Sequence, residues 1–153
     1  MEIYIAARYS RLEEANKYAE QLRALGHTVS ARWLTGSHQI PDGAMLIDTK
    51  GLPSMPPEAV PFAQEDIADV WKADMLIALT EKPRSSNSRG GRHVEFGIML
   101  ALKALPHSVG RKRLVVVGPR ENVFHTLPEV EHFVDWHEFM ENAGHLRDYY
   151  ADR

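Results

Sequence analysis

The fold is organised around the stretch Ser88-Arg89-Gly90-Gly91-Arg92-His93-Val94-Glu95-Phe96-Gly97, which continues into the apolar run Ile98-Met99-Leu100-Ala101-Leu102. This pattern is typical of a loop that opens a helix. Five apolar residues follow the 3.6-residue period of one helical face: Val94, Ile98, Ala101, Leu102 and Leu105. We expect that face to be buried.

The start of this helix has the composition of an anion-binding site. Gly90 and Gly91 allow a positive φ and a close approach of a ligand to the main chain, and a helix N-terminus offers unpaired N–H groups. Arg92 and His93 in the first turn would oppose the helix dipole, so helix stability alone does not explain them. A bound anion would explain them; the alternative is that Arg92 is solvated or paired with a nearby acid.

Length and composition narrow the class of protein. A chain of 153 residues is most simply one domain, 1–153, that buries its own core. The absence of cysteine excludes disulfides, zinc–thiolate sites and thiol nucleophiles. A net charge of −3 argues against general nucleic-acid binding. Residues 1–7 lack a basic n-region, and no run approaches the roughly 20 apolar residues of a membrane span, so we expect a soluble cytoplasmic protein.

Strand-like runs alternate with helical periods along the chain. We predict strands at 3–7, 27–33, 74–80, 113–118 and 133–134, and helices at 10–25, 62–73, around Glu95 and at 138–149. This order predicts an α/β fold: a doubly wound, flavodoxin-like, five-stranded parallel sheet with helices on both faces. Ligands of such sheets bind at the carboxyl ends of the strands. The loops after Ala7, Thr80 and Gly118 should therefore meet at one crevice.

The segment 36–61 fits neither period. Five prolines interrupt it, together with Gly43 and Gly51, and Gly36 is its first residue. A loop of this length in a compact domain is usually a lid or a substrate-binding loop, and the alternative is a disordered insertion.

Common catalytic motifs are missing from the sequence. It contains no Walker motif, no Gly-x-Gly-x-x-Gly fingerprint, no His-Glu-x-x-His pattern and no Gly-x-Ser-x-Gly elbow. We therefore expect no nucleotide cofactor of those kinds and no metal. What remains is carboxylate chemistry, with Glu95 on a helix, Asp74 expected nearby and Tyr4 on the first strand. Two carboxyl groups in one cleft are what glycosidic cleavage requires.

Three stretches together resemble one enzyme family. They are Ile3-Tyr4-Ile5-Ala6-Ala7, Ala73-Asp74-Met75-Leu76-Ile77-Ala78 and Gly90-Gly91-Arg92-His93-Val94-Glu95-Phe96-Gly97-Ile98-Met99-Leu100-Ala101. The chain is similar over most of its length to the nucleoside 2-deoxyribosyltransferases and the related deoxynucleoside monophosphate N-glycosidases.

This resemblance implies roles for single residues. Glu95 would be the nucleophile that forms a glycosyl-enzyme intermediate, Asp74 would orient the sugar and Glu95, and Tyr4 would hydrogen-bond the nucleophile. It also implies a small-molecule nucleoside or nucleotide as substrate, and a homo-oligomer in which a neighbour completes each site. We place Asn122, after the fourth predicted strand, in that shared part.

One position departs from the family pattern. Six residues before Glu95 the transferases carry an aspartate and the monophosphate glycosidases a serine, whereas this chain has Arg89. The proton donor to the leaving base is therefore unassigned.

The loop before the helix would instead suit a 5′-phosphate. It offers hydroxyl groups and guanidinium groups at a helix N-terminus, from Ser85, Ser86, Ser88, Arg89 and Arg92. We include Ser88, Arg89, Gly90, Gly91 and Arg92 among the substrate-binding residues, together with Tyr9 after the first strand. This loop favours a nucleotide over a free nucleoside, although a polar loop can also serve solubility alone.

Two functions stay open at this stage. One is an enzyme that cleaves or transfers an N-glycosidic bond. The other is a non-catalytic nucleotide-binding or signalling module in which Glu95 only binds a ribose.

Overall fold

The computed structural model describes residues 1–85, 89–106 and 112–142 of the chain. Helices and strands alternate through these residues. In chain order they are β1 (Glu2–Ala6), α1 (Leu12–Ala24), β2 (Thr28–Val29), β3 (Leu46–Ile47), β4 (Pro53–Ser54), α2 (Ala59–Lys72), β5 (Met75–Leu79), α3 (Gly91–Ala104), β6 (Arg113–Val117), β7 (Glu131–Phe133) and α4 (Trp136–Glu141).

Five strands form one sheet in the order β2-β1-β5-β6-β7, and every neighbouring pair is parallel. Helices cover both faces, and β5 at the centre is buried along its whole length. This confirms the predicted doubly wound, flavodoxin-like sheet. The prediction succeeded because strands covered on both faces appear in the sequence as continuous apolar runs.

The second strand is much shorter than predicted. Only Thr28 and Val29 of the predicted range 27–33 pair with β1, and Arg32–Thr35 form a 3₁₀ turn. The main-chain N–H of Arg32 donates to Asp69 at 2.8 Å, and the indole N–H of Trp33 donates to the Ile5 carbonyl at 2.8 Å. The alternating sequence pattern arises because Val29, Ala31 and Trp33 are buried in the core. The main chain at Arg32, however, hydrogen-bonds to Asp69 and not to β1.

Helix α3 is oriented differently from the prediction. The buried residues of α3 are Arg92, Phe96, Met99 and Leu102. Of the five residues expected to be buried, Leu102 alone is, whereas Val94 is 63% and Leu105 52% exposed. Both sides of this helix are apolar, so the period by itself could not identify the inner side.

Helix α2 also turns some of its large apolar side chains outward. Val70 and Asp69 are buried, whereas Ile67 is 47% and Trp71 59% exposed. Acidic side chains of α2 thus turn inward while large apolar ones turn outward. This is the opposite of what an isolated surface helix normally shows.

The segment 36–61 is an irregular wall that crosses the carboxyl side of the sheet. It contains a 3₁₀ turn at Asp42–Ala44 and the antiparallel pair β3–β4, and α2 begins inside it at Ala59. Its first residues, 38–42, line a cavity described below. The segment therefore contributes to a pocket, as a substrate loop would, and its opening and closing stay a prediction.

The chain's last described helix is α4, whose first turn is capped when Asp135 accepts a hydrogen bond from the Glu138 N–H at 2.9 Å. The remainder of the predicted helix, after residue 142, lies outside the described residues. Within the described part of the chain, no helix is long and apolar enough to cross a membrane.

Candidate active site

A cavity of about 500 Å³ opens at the carboxyl ends of β1 and β5. It is lined by residues 7–10 after β1, residues 38–42, the α2 residues Ala63 and Asp66, and the start of α3 with Arg89–Arg92 and Glu95; Trp33 and Met55 complete the lining. The expected meeting of the loops after Ala7 and Thr80 is therefore confirmed. The loop after Gly118 reaches the cavity indirectly, because Glu121 pairs with Arg92.

Glu95 and Asp66 line this cavity, and the buried Tyr4 lies close enough to be influenced by both acids. Tyr4 projects from β1, Asp66 from α2 and Glu95 from the second turn of α3. The Tyr4 hydroxyl is buried and has no partner within strict hydrogen-bonding distance, yet both carboxylates are close enough to act on its pKa. Burial, then Glu95, then Asp66 raise the pKa of Tyr4 well above its usual value. Tyr4 is thus a neutral hydroxyl that faces two acids.

The environment of Glu95 favours its protonated form. Burial raises the pKa of its carboxyl group from 4.5 to about 8, and the Asp66 carboxylate adds to the rise. The Tyr4 hydroxyl and Arg92 act in the opposite direction. Glu95 keeps part of its surface on the cavity, so a ligand can reach a carboxyl group whose protonation changes near neutral pH.

Asp66 is the second acid of the site, and the sequence analysis missed it. Burial raises its pKa, while His38 lowers it through charge and a hydrogen bond. The Nδ1 atom of His38 lies 3.0 Å from the Asp66 carboxylate. A signal was present in the sequence, because Asp66 stands four residues after Phe62 and four before Val70, on the inner side of α2.

Asp74 does not belong to this cavity, which corrects the prediction that it lies beside Glu95. It immediately precedes β5 and therefore lies at the amino edge of the sheet, whereas the cavity is at the carboxyl edge. Its carboxylate accepts the Glu2 N–H at 2.8 Å, and its carbonyl accepts the Arg113 N–H at 2.8 Å. These bonds align three strands, which is a structural role.

The predicted substrate-binding loop is partly in place. Gly90 has the expected positive φ, 84°, and α3 begins at Gly91. The Arg89 guanidinium donates to the Ile40 carbonyl and pairs with Asp42, so it ties the start of α3 to the opposite wall. The Tyr9 hydroxyl lines the cavity and donates to the Gly36 carbonyl. Ser88, with 86–87, lies outside the described residues.

Arg92 and Asn122 belong to a network at the side of the cavity. The Arg92 side chain is 4% exposed and forms an ion pair with Glu121. This is the alternative considered above, a pairing with a nearby acid. Asn122 lies 3.2 Å from His125 and 3.4 Å from His93, so within its own chain it braces the loop after β6 against α3.

The described residues contain no group of three or more histidine or acidic side chains arranged to hold a metal ion. The chemistry considered below uses the side chains of Glu95, Asp66, Tyr4 and His38.

Comparisons with known proteins extend the result for the fold. No family model matches the chain, and no curated protein is similar to it in sequence. Among solved structures, the chain is similar to the CMP N-glycosidase BcmB of Clostridium botulinum. The TM-score is 0.50 with 18% identity, over 95% of this chain and 99% of that one. At this identity the likeness establishes a shared α/β architecture.

The buried state of Glu95 can be tested without a ligand. A carboxyl group whose pKa is raised in the folded state contributes stability that is full below pH 4.5 and is lost as the pH rises through 8. Glu95→Gln keeps the shape and cannot ionise. We expect it to raise the free energy of unfolding by about 1–3 kcal/mol at pH 9 and to change it little at pH 4.

Chemical denaturation at the two pH values measures this difference. Glu13→Gln, at an exposed position of α1, is the matched control and should show no such pH dependence. Equal effects of both substitutions at pH 9 would show that Glu95 is not held in an environment that resists its ionisation.

Proposed function

We propose that this chain is an enzyme that cleaves or transfers the N-glycosidic bond of a nucleoside or nucleoside 5′-monophosphate. The observation that carries the proposal is the placement of Glu95 beside Asp66 and Tyr4 in a cavity large enough for such a ligand. The shared architecture with an N-glycosidase supports it. Glycosidic cleavage needs two carboxyl groups with different tasks, and this cavity has two.

In the first half of the proposed reaction the Glu95 carboxylate attacks the anomeric carbon. The bond from that carbon to the base nitrogen breaks, and its electron pair leaves with the base, which takes up a proton. The proposed donor is Asp66: when the proton that the two acids share lies on Asp66, Glu95 is ionised and can attack, because it is the charged form of Asp66 that raises the pKa of Glu95. A glycosyl ester on Glu95 remains.

The second half of the reaction decides between hydrolysis and transfer. Water or an acceptor base attacks the anomeric carbon and releases Glu95, while Asp66 takes back a proton. A non-catalytic nucleotide-binding module is the second candidate. In that case Glu95 and Asp66 would bind the sugar hydroxyls and no base would be released.

A turnover assay separates these functions. The protein is mixed with deoxynucleosides and their monophosphates, with and without an acceptor base, and free and exchanged base are quantified. We expect base release by the wild type and a loss of at least about 10³-fold in Glu95→Gln, since the covalent route is removed. Binding without any turnover would favour the module.

Asp66→Asn and Asp74→Asn form the matched pair for this assay. Both replace an aspartate by its isosteric amide, but only Asp66 lines the cavity. We expect base release to fall in Asp66→Asn and to stay near the wild-type rate in Asp74→Asn. The reverse result would restore Asp74 as the second acid and contradict the placement described above.

We further propose that the substrate carries a 5′-phosphate and that Arg89 binds it. Arg89 stands at the N-terminus of α3, where main-chain N–H groups and the helix dipole also favour an anion. Its side chain is 40% exposed and its acidic partner Asp42 is 99% exposed, so a phosphate could replace this partner at low cost. Arg92 is less suited, because it is buried against Glu121.

Arg89→Ala should therefore weaken the use of a monophosphate by about 1.5–3 kcal/mol in kcat/KM and leave the unphosphorylated nucleoside almost unaffected. Asp42→Asn, which removes the competing carboxylate, is the control and should not weaken monophosphate use. Equal losses for both substrates in Arg89→Ala would contradict a phosphate site and point to a role in holding the loop.

A second copy of the chain is the partner that we propose for the outer surface of α2 and α3. The exposed residues of α3 are all uncharged: Gly91, Val94, Gly97, Ala101 and Ala104. Those of α2 are uncharged except at its end: Val60, Pro61, Ala63, Gln64, Ile67, Ala68, Trp71 and Lys72. Monomeric proteins rarely leave so continuous an apolar surface in water.

The detailed shape of this surface fits a copy of itself. Large exposed side chains lie on α2, at Trp71 and Ile67, and small exposed residues lie on the neighbouring helix α3, so two copies could interdigitate. Gly97 has open space around it, and glycine inside a helix costs about 1 kcal/mol relative to alanine. Close approach of another backbone explains this cost. The surface also adjoins the cavity, since Ala63 and Gly91 belong to both.

Ala101→Glu tests this interface by placing a charge at its centre, away from the cavity. We expect the wild type to sediment as a dimer and Ala101→Glu as a monomer, because an unpaired charge in an apolar interface is strongly unfavourable. Ala24→Glu, at an exposed alanine of α1, is the matched control and should stay dimeric. A monomeric wild type, or a dimer that resists both Ala101→Glu and Ile67→Lys, would rule out this surface.

A further inference from the structure

His38 connects the wall of the cavity to the acid beside Glu95. It belongs to the segment 36–61, lines the cavity, and its side chain is 4% exposed. Its Nδ1 atom lies 3.0 Å from Asp66 Oδ1, and its Nε2 atom lies 2.8 Å from Glu65 Oε2. The ring stacks on Phe62 with centroids 4.7 Å apart. Three residues of α2 thus fix one imidazole.

The two nitrogen contacts constrain the number of protons in this cluster. A neutral imidazole has one N–H donor and one acceptor nitrogen, and an ionised carboxylate only accepts hydrogen bonds. Both contacts can be hydrogen bonds only when the imidazole carries two protons or one of the acids carries one. The cluster therefore holds at least one proton more than a neutral histidine between two carboxylates.

We propose that His38 is the positioning residue of Asp66: it orients the carboxyl group towards Glu95 and keeps the segment 36–44 closed against α2. This inference rests on the proposed function for its catalytic part. The physical argument is that an aspartate on a helix has two freely rotating side-chain torsions, and a hydrogen bond from a buried, stacked ring removes that freedom. The same bond attaches the wall, so closure of the wall and orientation of the acid occur together.

Other charged groups also face this cluster and enter any pH dependence. On α2, Glu65 lies within 3.9 Å of Arg32, and Asp69 forms an ion pair with Arg32 at 2.9 Å. From β1 and α3, Tyr4 and Glu95 face the cluster, since the Asp66 carboxylate raises the pKa of both. His38 opposes the rise in the pKa of Asp66, so its loss should keep Asp66 neutral over a wider pH range. Glu95 would then ionise at lower pH.

Hydrogen exchange tests, without any substrate, whether His38 holds the segment 36–44 against α2. Backbone exchange of residues 36–44 is measured by mass spectrometry in the wild type, His38→Phe, Asp66→Asn and the double variant. His38→Phe retains an aromatic ring to stack on Phe62 and loses both nitrogen contacts. We expect faster exchange in each single variant and, in the double variant, no increase beyond that of His38→Phe, because Asp66→Asn removes the charge from a bond that His38→Phe removes altogether.

Kinetics on the substrate found in the base-release assay test whether His38 orients Asp66 for the reaction. We expect His38→Phe to lower kcat by about 10- to 100-fold with a smaller change in KM, the range for losing one charge-assisted hydrogen bond. His38→Gln, which can donate one N–H to Asp66, should recover part of the rate. The rise of kcat/KM with pH that reports ionisation of Glu95 should move to lower pH in His38→Phe.

The control is His137→Phe, which changes an 82% exposed histidine that also pairs with an acid, Glu141, far from the cavity. It should behave as the wild type in both experiments. Additive exchange effects of His38→Phe and Asp66→Asn would overturn the proposal even if no turnover is found. A kcat of His38→Phe within about twofold of the wild type would also overturn it. An equal loss of kcat in His38→Gln, together with an unshifted pH profile of kcat/KM, would have the same consequence.

Discussion

The fold holds two carboxyl groups, those of Glu95 and Asp66, in one poorly solvated cavity, and much of the structure can be understood from that constraint. Two carboxylates at close range repel each other, and burial adds to the cost of ionising either. The protein lowers this cost with a hydroxyl from β1, an imidazole from the segment 36–61 and an arginine at the start of α3. Each of these groups comes from a different part of the chain, so the site exists only when the whole sheet has formed.

The same constraint explains the unusual orientation of the two helices. Asp66 must face inward to reach Glu95, and Asp69 faces inward to bond the turn at Arg32. A helix has one inner side, and on α2 acids occupy much of it. The apolar residues that would otherwise fill that side therefore lie outside, at Ile67 and Trp71. An outward apolar surface is stable in water when another surface covers it, so the chemistry of the cavity and the partner that we propose for this surface have a common origin.

The sequence predicted the sheet better than it predicted the site. Continuous apolar runs identify strands that are buried on both faces, and their alternation with helices determines the parallel order. Asp74 could have been rejected at that stage, because a residue that precedes a parallel strand lies at the amino edge, away from the ligand crevice. Asp66 was harder to identify, since an acid within an apolar helical stripe is usually read as the edge of that stripe. The inner side of α3 could not be chosen at all, because apolar residues occur all round the helix.

The distance between Glu95 and Asp66 depends on how α2 packs against α3, because each acid belongs to a different helix. That distance matters chemically. Carboxyl groups about 5 Å apart allow direct attack on the anomeric carbon, whereas a separation of roughly 6.5–9.5 Å leaves room for a water between acid and sugar. Within one chain, side-chain packing between the helices and the bond from His38 oppose a change in this spacing. A second copy seated on the outer surface of both helices would hold them from the other side. The uncharged surface would then lie on the outer side of α2 and α3, and the two acids on their inner side. A substitution on the outer surface would alter the reaction by changing the distance between Glu95 and Asp66.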